Sequence, residues 1–178
     1  MKPRLIILSD LWGQKKSGWI DYYTKELQDH FELKYYDCCE LGEIDTSTYT
    51  EENLHKQFIN EGIDRAIQNL LKLEKGKIHI LAFSIGGVIG WKSAIKNLNV
   101  LSLFAVSSTR LRYESNKPKT KIELYFGEND MYTPKSKWYD MMNIDFIIEK
   151  GKGHQLYIEP KFAVQLSNRI INSIIIRK

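Results

Sequence analysis

His79-Ile80-Leu81-Ala82-Phe83-Ser84-Ile85-Gly86-Gly87 is the stretch on which the reading of this chain turns. The largely apolar run before Ser84 reads as a strand, and the residues from Ile85 onward read as a helix. At the join stands a small-x-Ser-x-Gly pattern. A sharp strand-to-helix turn pushes its serine hydroxyl into the open on a strained backbone. Crowding there demands small residues two before and two after, here Ala82 and Gly86. Gly87 and Gly90 would let the helix pack closely on a sheet. The Ile85 N–H would open that helix, where amides lack partners and the dipole favours negative charge. A second donor for a developing oxyanion is expected from the loop after the first strand, at Leu11 or Trp12. Ser and Gly are also common at helix starts in nucleotide-binding sheets, so the turn alone leaves catalysis and capping both open.

Outward from that turn, short apolar runs alternate with longer amphipathic ones. The patterns predict strands at 5–8, 31–36, 78–83, 100–106, 122–126 and 144–148. Helices are predicted at 19–30, 51–73, 85–95, 134–142 and 160–175. Thr50 is a candidate N-cap, with acids in the turn that follows it. Residues 38–50 read as a polar connection, and 110–119 as a loop or a very short helix. Near-regular alternation of this kind points to a parallel sheet with helices on both faces. In such a sheet ligands bind beyond the carboxyl ends of the strands.

Three of those ends carry a serine, an acid and a histidine. A serine hydroxyl is a weak nucleophile near neutral pH, so it needs a base, and the base needs an orienting acid. Asp130 follows the fifth strand in Gly127-Glu128-Asn129-Asp130, with Pro134 beyond it. His154 follows the sixth in Gly151-Lys152-Gly153-His154, where two glycines leave the loop free to aim the imidazole. Glu128 is the rival acid and reads as a solvated residue. His79 lies within a strand and reads as structural. His30 and His55 fall on helical patterns and read as solvent-facing. Asp10, near the active end, reads as a capping residue more readily than as a substrate contact.

With Ala82-Phe83-Ser84-Ile85-Gly86-Gly87, Gly127–Asp130 and Gly151–His154 in this order, almost the whole chain resembles the α/β-hydrolase superfamily. The resemblance implies Ser84 as nucleophile, His154 as base and then acid, and Asp130 as orienter. It also implies a single-domain three-layer sandwich with a six-stranded parallel sheet in order 2-1-3-4-5-6, lacking the family's first two strands. Two departures stand out. Ala82 occupies a position where the family usually has glycine, and Ser9-Asp10-Leu11-Trp12-Gly13 lacks the common His-Gly pair. Leu5–Leu8 with Trp12-Gly13 and Tyr35-Tyr36-Asp37 is similar, more narrowly, to esterases that cleave pimeloyl-acyl-carrier-protein methyl ester. That similarity makes a carrier-bound substrate an alternative.

The totals exclude several other classes. A chain of 178 residues fits one domain spanning 1–178, since domains commonly hold roughly 100–200 residues. A hydrophobic fraction of 43% argues against disorder. The net charge of +4, from 26 basic and 22 acidic residues, is too small to imply a nucleic-acid partner. Cys38 and Cys39 are adjacent, a poor geometry for a mutual disulfide and too few ligands for zinc. The apolar start at 5–8 is too short for a signal peptide, and no run approaches the roughly 18 residues of a membrane span. A cytoplasmic protein without cofactor, metal or membrane partner is therefore expected.

The connection after the fourth strand leaves no room for a lid domain, so an open site is expected. Trp12, Tyr132 and Tyr157 are candidate apolar walls. Arg110 and Arg112 would lie near the mouth, suited to an anionic substrate or an acidic carrier protein. A small ester or thioester is the expected substrate. A noncatalytic binding module on the same fold is one alternative. A flavodoxin-like nucleotide binder is another, though Ser9–Gly13 offers only one glycine to cradle phosphate.

Overall fold

The computed structural model describes residues 2–176. Its centre is built from the most continuously apolar segments. These are β1 (Arg4–Leu8), β3 (Ile78–Phe83) and β4 (Val100–Val106). Every residue of β3 is buried, as a strand covered on both faces must be. β2 (Glu32–Tyr36), β5 (Lys121–Gly127) and β6 (Phe146–Glu149) complete one parallel sheet in the order β2-β1-β3-β4-β5-β6. The edge strands β2 and β6 alternate between more and less exposed positions. Pairing of Leu8 with Tyr36 and Ala82, Phe83 with Val106, and Gly127 with Glu149 brings the carboxyl ends close together. The loops that follow those strands therefore share one rim.

The two-residue period of the strands divides the core in two. Leu5, Ile7, Leu81, Phe83, Phe104 and Val106 point towards α1 (Asp21–Leu27) and α7 (Pro160–Ile171). Ile6, Leu8, Ile80, Ala82, Leu103 and Ala105 point towards α4 (Ile63–Leu73), α5 (Ile85–Ile95) and α6 (Ser136–Met142). Each fully buried Leu, Ile or Phe contributes about 1.5–3 kcal/mol relative to exposure. Helix α5 is buried on nearly every side, which explains why its sequence lacks a single apolar stripe.

Several predicted elements take a different form. The 19–30 helix is a 3-10 turn at Gly18–Ile20 followed by the shorter α1. The polar connection 38–50 contains a one-turn helix, α2 (Cys38–Leu41), capped by Asp37, whose carboxylate accepts the Cys39 N–H at 2.7 Å. The 51–73 helix runs as α3 (Glu51–Gln57), a π-helical turn at Phe58–Gly62 and then α4. The π turn has a reason in the sequence. Leu54, Phe58, Ile63 and Ile67 are all buried, and the five-residue step from 58 to 63 needs a wider turn to stay on one face. Thr50 caps α3 through its hydroxyl, which accepts from Asn53 N–H at 3.4 Å. Residues 107–120 hold only a 3-10 turn at Thr109–Tyr113, so this connection carries no lid domain. Among the described residues no helix is long and apolar enough to cross a membrane.

Candidate active site

Ser84 sits between β3 and α5 with φ +48° and ψ −114°. This is a sparsely populated conformation for a residue with a side chain, of a kind that costs about 1–3 kcal/mol. Its amide is anchored to Val106 O at 2.8 Å. Gly86 is required by contact rather than by torsion. A Cβ there would stand 2.5 Å from Ser9 O and 2.9 Å from Leu8 Cβ, so α5 could not approach β1.

The Ser84 hydroxyl lies 3.1 Å from His154 Nε2, and His154 Nδ1 lies 2.6 Å from Asp130 Oδ2. A proton on Nδ1, donated to the carboxylate, leaves Nε2 to accept from the serine. The Asp130 side chain is buried, and its Oδ1 accepts the Tyr132 N–H at 3.1 Å. His154 is more open, with 37% of its side chain exposed. The rival acid, Glu128, instead accepts the Gly151 N–H at 2.8 Å.

Two further residues aim the imidazole. Ser107 donates its hydroxyl to His154 O at 2.6 Å. Gly127, at the end of β5, lies so close to the histidine loop that a Cβ would meet Lys152 O at 2.4 Å and Gly153 O at 2.5 Å. The Asn129 N–H also donates to Lys152 O at 2.8 Å. The acid loop and the base loop are thus one packed unit.

The donor loop after β1 is held at almost every polar atom. Cys38 Sγ donates to Ser9 O at 3.1 Å, and Cys39 Sγ to Leu11 O at 3.3 Å. The Tyr49 hydroxyl donates to Trp12 O. Gly13 N–H donates to Asp10 O at 3.3 Å and Gln14 N–H to Asp37 Oδ2 at 2.8 Å. Burial pushes the Cys39 thiol up to about 12 and the Cys38 thiol well above its ordinary value, so both act as neutral donors. The Trp12 N–H is spent on Asp10 Oδ1 at 2.9 Å. Leu11 N–H has no acceptor among the described residues. Of the two loop amides expected from the sequence, Trp12 N–H is therefore engaged, and Leu11 N–H is the one without a bond among the described residues.

The remaining candidates separate into surface and support. Tyr132 is 60% exposed at the rim. Tyr157 is not a wall: it is 2% exposed and donates its hydroxyl to Asp10 Oδ2 at 3.1 Å. Trp12 is half-buried, with Lys16 Nζ 3.6 Å above its ring. Arg112 is engaged, donating to Thr109 O at 2.9 Å and to the Tyr113 hydroxyl at 2.8 Å. Arg110 stacks over Tyr113 and has no carboxylate partner among the described residues. His30 and His55 are exposed, and His79 is a buried cross-strand partner of Ser102 at 2.6 Å. Ser84, Asp130 and His154 line neither of two clefts of about 540 and 420 Å³, the second of which borders the donor loop at Trp12, Asp37 and Cys39. Among the described residues no three His, Cys, Asp or Glu side chains gather as metal ligands.

A parallel sheet in this order, with a serine turn after its third strand, is the α/β-hydrolase fold. No family model matches the chain, and no curated protein matches it in sequence. Solved structures do. A protein of Xanthomonas campestris pv. campestris assigned to the alpha/beta hydrolase superfamily is similar over 97% of this chain and 100% of its own, with TM-score 0.70 at 12% identity. Mouse alpha/beta hydrolase domain-containing protein 10 is similar over 99% of this chain and 91% of its own, with TM-score 0.69 at 13% identity. A CIB-like hydrolase assigned in Thermoplasma acidophilum is similar over 96% and 87%, with TM-score 0.63 at 18% identity.

Proposed function

We propose that this chain is a serine hydrolase that cleaves a carboxylic ester or thioester through an acyl-enzyme on Ser84. One observation carries the reading: the unbroken row from Ser84 Oγ through His154 to Asp130, with contacts of 3.1 and 2.6 Å. His154 Nε2 takes the hydroxyl proton as Oγ attacks the carbonyl carbon. Asp130 holds the imidazole in the required tautomer and stabilises the imidazolium that forms. The carbonyl oxygen, now negative, is met by Ile85 N–H and Leu11 N–H, and losing one such donor typically costs about 2.7–4 kcal/mol of barrier. Collapse of the intermediate breaks the bond to the alcohol or thiol, which receives the proton from His154. Water then repeats the attack with His154 as base, and Ser84 is released.

One feature supports a small substrate in an open site: the short connection 107–120, which holds only a 3-10 turn. The test is labelling by a fluorophosphonate together with hydrolysis of p-nitrophenyl acetate and butyrate. The native chain is expected to label and turn over, and Ser84→Ala to do neither. Undiminished labelling of Ser84→Ala, or an inert native chain, would end this reading in favour of a binding module.

A further inference from the structure

Asp10 is an unexpected group to find at this rim. It is a carboxylate, it is 2% exposed, and it stands in the donor loop itself. Both of its oxygens are used: Oδ1 by Trp12 N–H at 2.9 Å and Oδ2 by the Tyr157 hydroxyl at 3.1 Å. Tyr157 is a fixed anchor. Its carbonyl accepts the Tyr23 hydroxyl at 2.8 Å, and its ring packs against Trp19 and Phe83. The same ring stands edge-on to the His154 imidazole, with centroids 6.2 Å apart. Asp10 therefore ties the donor loop to a residue that also packs on the base.

The backbone of Asp10 is held as well. Its carbonyl accepts from the Ser9 hydroxyl at 2.9 Å and from Gly13 N–H at 3.3 Å. A trans peptide is planar, and its N–H points opposite to its C=O. Fixing the Asp10 carbonyl thus fixes the direction of the Leu11 N–H in the same peptide unit. Burial of a carboxyl opposes folding, and this one is pushed up to about 6 by desolvation. An apolar side chain would avoid that cost but could not hold the Trp12 amide.

We propose that Asp10 is a positioning residue of the oxyanion site. By binding the Trp12 N–H and the Tyr157 hydroxyl, it locks the Asp10–Gly13 turn so that Leu11 N–H is the loop amide offered to the reacting carbonyl oxygen. This rests on the serine-hydrolase reading. Asp10 touches no substrate atom and moves no proton; it withdraws one amide from competition and holds its neighbour in place.

The experiment compares the full-length native chain with Asp10→Ala, Asp10→Asn, Tyr157→Phe and Ser84→Ala. The readouts are kcat and KM for p-nitrophenyl butyrate, the fluorophosphonate labelling rate, and thermal melting. Asp10→Ala is expected to lose about 100-fold in kcat and in labelling rate, with KM changed by about twofold at most. Asp10→Asn is expected to stay within about tenfold of native, because its amide oxygen still accepts the Trp12 N–H. Native kcat in Asp10→Ala, a loss confined to KM, or an Asp10→Asn as impaired as Asp10→Ala would each overturn the proposal. Should Asp10→Ala not fold, Tyr157→Phe decides: a fall in kcat of about 3–10-fold at constant KM supports it, and native kcat overturns it. Labelling of the native chain that Ser84→Ala abolishes shows that the underlying reading stands whatever the Asp10 variants do. A native chain that neither labels nor turns over ends both.

Discussion

The cost of burying Asp10 is measurable through pH. Its carboxyl titrates at about 6 in the folded chain, against an ordinary value of 3.8, with desolvation as the chief cause. The Trp12 amide, the Tyr157 hydroxyl and the nearby His154 pull the other way, while Asp37 adds to the rise. Well below pH 3.8 the group is protonated in both states and costs nothing. Between about pH 4 and 6 the unfolded chain releases the proton and the folded chain keeps it. Stability from this group therefore falls as pH rises through that window, by about 3 kcal/mol at pH 7. Asp10→Asn cannot ionise, so its advantage over the native chain is expected to grow from about 0.5 kcal/mol at pH 4 to about 3 kcal/mol at pH 7. Denaturant melts of both proteins at pH 4, 5.5 and 7 measure it. A difference that stays flat across the three would mean that the folded carboxyl titrates as it does in water.

Between elements, the contact that matters most joins the end of β5 to the loop carrying the base. Gly127 belongs there because the Lys152 and Gly153 carbonyls occupy the space of a side chain. In Gly127→Ala a methyl group must displace backbone, and the segment that can give way is the one bearing His154. A displacement near 1 Å can cost about 100-fold in rate, while overpacking costs about 1–3 kcal/mol of stability. The variant is expected to fold, to lose about 100-fold in labelling rate, and to keep KM. A native labelling rate would show that the two loops move independently. Ser84, Asp130 and His154 were legible in the sequence because each follows an apolar run that reads as a strand. Gly127 was legible only as part of a motif, and Ser107 only as a residue following the fourth strand, without its role. Its bond to the His154 carbonyl depends on which strands are neighbours, and a pair of serines after a strand has no periodicity of its own. Cys38 and Cys39 were opaque for the same reason: their acceptors belong to β1's loop, brought beside them by the β1–β2 pairing.

Over the whole molecule, the candidate site lies at the carboxyl ends of the strands and the Arg4 ion pairs start from the amino end of β1. Apolar patterning announced six strands and their alternation with helices, but the strand order came from the family resemblance, since period alone does not rank neighbours. Patterning also passed over the clamp at the amino end. There Arg4, the first residue of β1, donates to both Glu74 oxygens at 2.8 and 2.7 Å and also pairs with Glu32 of β2. The Tyr36 hydroxyl donates to Glu74 at 2.6 Å. Glu74 is buried just past α4, and although burial opposes its ionisation, Arg4 and Tyr36 hold its carboxyl below the usual carboxylate range. Arg4→Met would leave that carboxylate with one partner. Breaking a buried pair costs about 3–5 kcal/mol, and the low end applies because Arg4 remains partly in water. For a chain of this length, about 3 kcal/mol corresponds to a fall in Tm of about 6–12 °C. The labelling rate of Ser84 at 15 °C is expected to match the native value, because the Arg4 side chain bonds only to Glu32 and Glu74 among the described residues and makes no bond to the rim loops. Melting and labelling of the same Arg4→Met preparation check both halves. A labelling rate that falls while the fold is still intact would mean that strain at the clamp reaches the donor loop along β1 or β2, both of which carry clamp residues and end beside that loop.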